Sequence, residues 1–180
     1  MYKKYVTVFV LVLYILVVFT GCSYIAYKDY YSNIDEYAKI WELTGFHHGY
    51  EGASPLFPKS IANLDAKQFL CRYDQQLPLG EGIQVFLEIQ YTDEGVFNTE
   101  LEKISSLSFD CRDSFMGTSF AAYATRLGSN FSSEYALIDE DKQVIYYIYL
   151  QNIPKSEIEF DHQFLPAGYT GFGEIIQDIK

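Results

Sequence analysis

The sequence predicts an α+β domain: an antiparallel sheet of about five strands with one helix packed across it, after an apolar N-terminal helix. Three observations lead to that class. Residues 66–73 and 83–91 alternate apolar and polar side chains, the period of a strand with one buried face. From Thr92 the period changes to that of a helix. Residues 144–150 are then apolar or aromatic on both faces, the pattern of a central strand covered from both sides.

Taken in order, Ser32 or Asn33 is placed to cap a helix reaching about Leu43, with Ile34, Tyr37, Ala38 and Trp41 along one side. Gly45 ends it, and a loop with Gly49, Gly52, Pro55 and Pro58 follows. Phe69, Cys71 and Tyr73 share one face of the first strand. Ile83, Val85, Leu87, Ile89 and Tyr91 share one face of the second, and Gln84, Glu88 and Gln90 lie on the other, which is expected to be wet. The two strands are expected to form an antiparallel hairpin. Thr92 or Asp93 then caps a helix to about Leu107, with Phe97, Leu101 and Ile104 at i, i+4 and i+7 and early acids at its positive end. Three more strands follow at 119–126, 133–138 and 143–150, the last two joined by the turn Asp139-Glu140-Asp141-Lys142. Beyond Pro154, Ile158-Glu159-Phe160 reads as a short strand, and the glycines at 168, 171 and 173 read as irregular coil.

Hydrophobic residues make up 49% of the 180 and charged residues 21%, which is a globular composition rather than a disordered one. The 17 Tyr and 14 Phe suit the core of a β-rich domain, with a tyrosine-lined recognition face as the sharper alternative. The formal net charge is −11, which argues against nucleic acid as a partner because phosphate backbones are repelled.

The N-terminus carries the strongest signal. Lys3 and Lys4 precede an almost continuous apolar run from Tyr5 to Phe19, and Thr20-Gly21-Cys22 follow. Charge, apolar stretch and small residues in that order are the layout of a secretory signal, with the lysines staying inside. Phe19-Thr20-Gly21-Cys22 resembles the cleavage box of bacterial lipoproteins at three of four positions, Phe19 standing where Leu is usual. The resemblance implies cleavage between Gly21 and Cys22 and a diacylglyceryl group on Cys22. Two or more acyl chains suffice for stable anchoring. On this reading residues 1–21 are the signal peptide, 22–32 a tether and 33–180 one α+β domain. Removing Lys3 and Lys4 leaves 11 basic against 24 acidic residues, a charge of −13, so attachment to the membrane comes from lipid rather than from basic patches. The alternative is an uncleaved anchor, because Tyr5–Tyr27 carries no charge and is long enough to span a bilayer.

The exported region also resembles a loose group of Gram-positive lipoproteins with no assigned activity. The likeness rests on Leu56-Phe57-Pro58-Lys59-Ser60-Ile61, Val85-Phe86-Leu87-Glu88-Ile89, Ser133-Glu134-Tyr135-Ala136-Leu137, residues 144–150, and Phe164-Leu165-Pro166 with Tyr169. It implies an address and no chemistry.

Chemical motifs are otherwise sparse. There is no Gly-x-Ser-x-Gly elbow and no His-Glu-x-x-His pair. Gly171-Phe172-Gly173 lacks the third glycine and the βαβ setting of a dinucleotide loop. His47-His48 joined in space by Asp161 and His162 would be the one conceivable zinc set, but neighbouring side chains diverge, and solvated histidines are the simpler reading. Glu88, Asp110, Asp113, Glu134 and Asp161 are carboxylates available for acid–base work on a glycan, with structural or solvated roles as the plainer account. Outside the cell Cys71 and Cys111 can pair as a disulfide, and two buried thiols account for them equally well. No catalytic residue, metal site or cofactor is assigned. The expected function is a non-enzymatic binding module held on the outer face of the cell membrane, with an envelope protein or glycan as partner. An envelope enzyme, or an assembly or protective factor, is the alternative.

Overall fold

The computed structural model describes residues 27–43, 54–76, 80–115, 119–129 and 132–171. Its frame is one antiparallel sheet of seven strands: β1 (Tyr27–Tyr31), β2 (Asp65–Gln76), β3 (Gly80–Gln90), β4 (Phe109–Asp110), β5 (Ala121–Ser129), β6 (Ser132–Asp139) and β7 (Val144–Gln151). They lie in the order β1-β2-β3-β7-β6-β5-β4. An α-helix, α1 (Glu94–Leu107), carries the chain from β3 to the far edge, and β4 to β7 then return strand by strand to pair with β3. The α+β class and the β2–β3 hairpin agree with the sequence pattern. The sheet is larger than the five strands expected because two short edge strands, β1 and β4, extend it.

The residues 27–31 expected within a tether are therefore a strand, with Asp29 opposite Tyr73 and Tyr31 opposite Cys71. The element expected as a helix to Leu43 is a 3-10 helix, Ile34–Glu42, capped by Asn33 Oδ1 accepting the Asp35 N–H at 3.1 Å. Its apolar residues explain the tighter winding. Ile34, Tyr37, Ile40 and Leu43 recur every third position, so three residues per turn align them toward the sheet. α1 begins where its capping signal lies: Asp93 Oδ1 accepts the Val96 N–H at 3.0 Å.

Both faces of the sheet are covered. On the first face, Phe69, Cys71, Val85, Leu87, Tyr147 and Tyr149 meet α1 through Phe97 and Ile104 and the 3-10 helix through Tyr37 and Ile40. A polar thread runs within this layer: Tyr91 and Tyr147 share a hydrogen bond of 2.9 Å, and Tyr147 donates to Glu100 on α1 at 3.1 Å. On the second face, Leu70, Phe86, Tyr135, Tyr146 and Ile148 pack against residues 153–169, a strap of irregular backbone with two short 3-10 turns. Phe86 stacks on Phe160 at 5.0 Å and lies 5.4 Å from Phe164. The short strand expected at 158–160 belongs to this strap and makes no ladder. Of the face of β3 expected to be wet, Gln84 is instead fully buried, while Glu88 and Gln90 remain partly exposed. Residues 144–150 are buried throughout, as their two-sided apolar pattern required. Gly171, at φ 109°, closes the strap where a Cβ would stand 2.2 Å from Pro154 Cα.

Candidate functional site

The sequence-marked residues scatter across the molecule. Gly21, Cys22, His47 and His48 lie outside the described residues. Cys71 and Cys111 are both free and buried, and no disulfide joins them. Cys71 points into the layer under α1, whereas Cys111 belongs to the strap layer, so the sheet stands between the two sulfurs. Burial pushes each thiol up to about 12, which keeps both protonated and inert. His162 is exposed, and Asp161 is spent capping its own turn by accepting the Gln163 N–H at 2.9 Å. Among the described residues, no group of three or more His, Cys, Asp or Glu is arranged to hold a metal ion.

The five carboxylates do not converge either. Asp110 and Asp113 are exposed near the β4 edge and Asp161 is exposed on the strap, while Glu88 is half-buried on β3. Glu134, fully buried on β6, is the chemically unusual one. One of its oxygens accepts the Leu56 N–H at 3.2 Å. The other accepts the Thr125 hydroxyl at 2.6 Å and lies 3.4 Å from the Arg126 guanidinium. A register shift in β5 between Ala124 and Arg126 lets these two consecutive residues serve the same carboxylate. Burial raises the Glu134 pKa, opposed by its bonds to Thr125 and Leu56 and by Arg126. Every oxygen is engaged and sealed from solvent. The group pins the loop around Leu56 to the sheet; it is not open to a substrate.

What does face solvent is the corner around β4. This two-residue strand pairs with β5, and among the described residues no strand pairs with its other side. Phe109 is 51% exposed and Leu107, at the end of α1, is 46% exposed. Further along the chain, a hollow of about 310 Å³ is bounded by Arg112, Phe120, Asp139, Glu140 and Asp141. A second hollow follows the backbone from Asp110 to Ser114. Asp139 is paired with Lys142 at 2.8 Å, and Arg112 lies 3.7 Å from Asp110, yet carboxylates still outnumber cations here. An apolar step, an edge strand and an acidic rim thus occur in one region, a combination suited to gripping a chain. Sequence reading marked Asp139–Asp141 only as a turn and missed Phe109, Arg112 and Phe120. The available signal was a phenylalanine set between Ser108 and Asp110 directly after the helix stop.

The tyrosines, in contrast, serve the core. Tyr135, Tyr147 and Tyr149 are among the largest fully buried side chains, and among the described tyrosines Tyr30 on β1 stands half exposed. Among the described residues, no helix is long and apolar enough to cross a membrane. No protein-family model, curated protein or solved structure matches the chain.

Proposed function

We propose that this chain is a lipoprotein held on the outer face of a bacterial cell membrane through Cys22, and that its folded domain is a non-enzymatic binding module. The anchor rests on Lys3, Lys4, the apolar run 5–19 and the box Phe19-Thr20-Gly21-Cys22. The binding role rests on one observation: Phe109 on the edge strand β4, and Leu107 just before it at the end of α1, stand exposed in a region whose hollow at Arg112 is rimmed by acids. Large apolar side chains left in water at an edge strand fit a partner strand laid along it. The acidic rim selects an envelope protein presenting basic side chains beside an apolar one.

A photo-crosslinking amino acid at position 109 of the full chain, irradiated in intact cells, tests this. One discrete protein adduct is expected, and it disappears when Asp139, Glu140 and Asp141 are changed together to Asn, Gln and Asn. Absence of any adduct, combined with turnover of an envelope substrate by the purified domain, would replace the binding role with an enzymatic one.

A further inference from the structure

We infer that the segment gripped at the β4 corner is an extended strand of alternating character, with a basic side chain set against Asp110 and an aromatic or aliphatic one against Phe109. This deepens the binding role proposed above and rests on it. The Cys111 N–H donates to the Ala122 carbonyl at 2.9 Å. In an antiparallel ladder, residues bonded to one neighbouring strand alternate with residues that turn both backbone groups the other way. Asp110 therefore points its N–H and C=O away from β5, to the side where no described strand pairs.

The register also gives each side chain its face. Phe109 stands opposite Ala124, which belongs with Cys111 and Ala122 to the layer under the strap. Asp110 stands opposite Tyr123, which packs against the layer under α1. A strand pairing with Asp110 continues this alternation whichever way it runs. Its residue facing Asp110 lies on the α1 side, and the next residue lies on the strap side beside Phe109.

Exposure and charge then decide the chemistry at each place. Phe109 is 51% exposed, so an apolar neighbour takes its ring out of water. The Asp110 carboxylate accepts the Arg112 N–H at 2.9 Å and lies 3.7 Å from the Arg112 guanidinium. Both side chains of that ion pair are more than half exposed, so the pair is weak and the carboxylate stays open to a second cation. The exposed Asp113 adds another negative charge to the same turn, leaving two acids against one cation over residues 110–113. A basic residue opposite Asp110 gains from this excess, and an acidic one is repelled.

The test uses the full chain in phosphatidylcholine nanodiscs and two fluorescein-tagged peptides of the same composition, followed by anisotropy. In Thr-Phe-Lys-Phe-Thr the aromatic side chains take the face opposite to Lys; in Phe-Thr-Lys-Thr-Phe they share its face. The first peptide is expected to bind several-fold more tightly. Asp110→Pro removes the outward N–H without touching a bond to β5, and Asp110→Asn keeps the N–H and removes the charge. Each is expected to weaken the first peptide several-fold, and full affinity in Asp110→Asn overturns the inference. Equal binding of the two peptides, or none, in a chain that still gives its adduct at position 109 in cells overturns this inference alone. No bound peptide and no adduct at 109 overturns the binding role as well.

Discussion

The side-chain amide of Gln84 reads the backbone of Glu159 as a neighbouring strand would: its oxygen accepts the Glu159 N–H at 2.9 Å. Its amino group donates to the Glu157 carbonyl at 2.9 Å, so one buried side chain satisfies two backbone groups of the strap. Arg72, one strand away, adds ion pairs to Glu157 at 2.7 Å and to Glu159 at 3.2 Å. The irregular strap is fastened to the second face by side chains doing the work of a ladder.

Gln84→Leu keeps the volume and removes both bonds. It leaves the Glu159 N–H without its partner, at ~1–3 kcal/mol, while the Glu157 carbonyl keeps the Arg72 guanidinium at 3.3 Å. A loss of about 1–3 kcal/mol in urea unfolding is expected. A variant as stable as the parent would show that the strap is held elsewhere.

Glu134 makes stability depend on pH in an unusual direction. Burial holds its folded pKa above the ordinary 4.5. The folded state then keeps its proton more readily than the unfolded one, so this residue's contribution falls as pH rises from 4.5 through the folded value. Glu134→Gln removes the ionisation and is expected to gain stability relative to the parent as pH increases, read from unfolding curves across that window. A difference that stays flat, or shrinks, contradicts the assignment. Glu134→Ala strands Arg126 in the interior and is expected to cost ~3–5 kcal/mol at neutral pH.

Cys71 and Cys111 are expected to remain thiols even in an oxidising compartment. Maleimide should leave both untouched in the native domain and modify both in denaturant without added reductant. A bridge between them, seen as a loss of both reactive thiols in denaturant, is incompatible with a sheet lying between the sulfurs.

Cys22→Ser is expected to abolish incorporation of radioactive fatty acid into the chain, since the acceptor thiol is gone. Labelling that persists in this variant would remove the lipoprotein assignment.

Much of the sheet was readable from local pattern. The alternation in β2 and β3, the Asp93 cap and i, i+4, i+7 series of α1, and the two-sided apolar run of β7 are periodicities carried by neighbouring residues. β1 escaped because five residues mixing Tyr, Lys and Asp show no clean alternation; its hydrogen bonds to β2 make it a strand. The β4 corner escaped because exposure of Phe109 depends on β4 being the last strand, a fact of topology rather than of composition.

By itself, then, the amino-acid order determined the α+β class, the start of α1 and the centrality of residues 144–150. Tertiary structure alone decided that Gln84 is dry, that Glu134 is an internal fastening, that the cysteines are parted and that Phe109 meets solvent. The physical reason is that a residue's own period says which way it points, whereas what covers that direction comes from segments far along the chain. Here the strap 153–169 lands on a face whose polar spacing advertised water, and Gln84 stays polar because it must meet that strap's backbone.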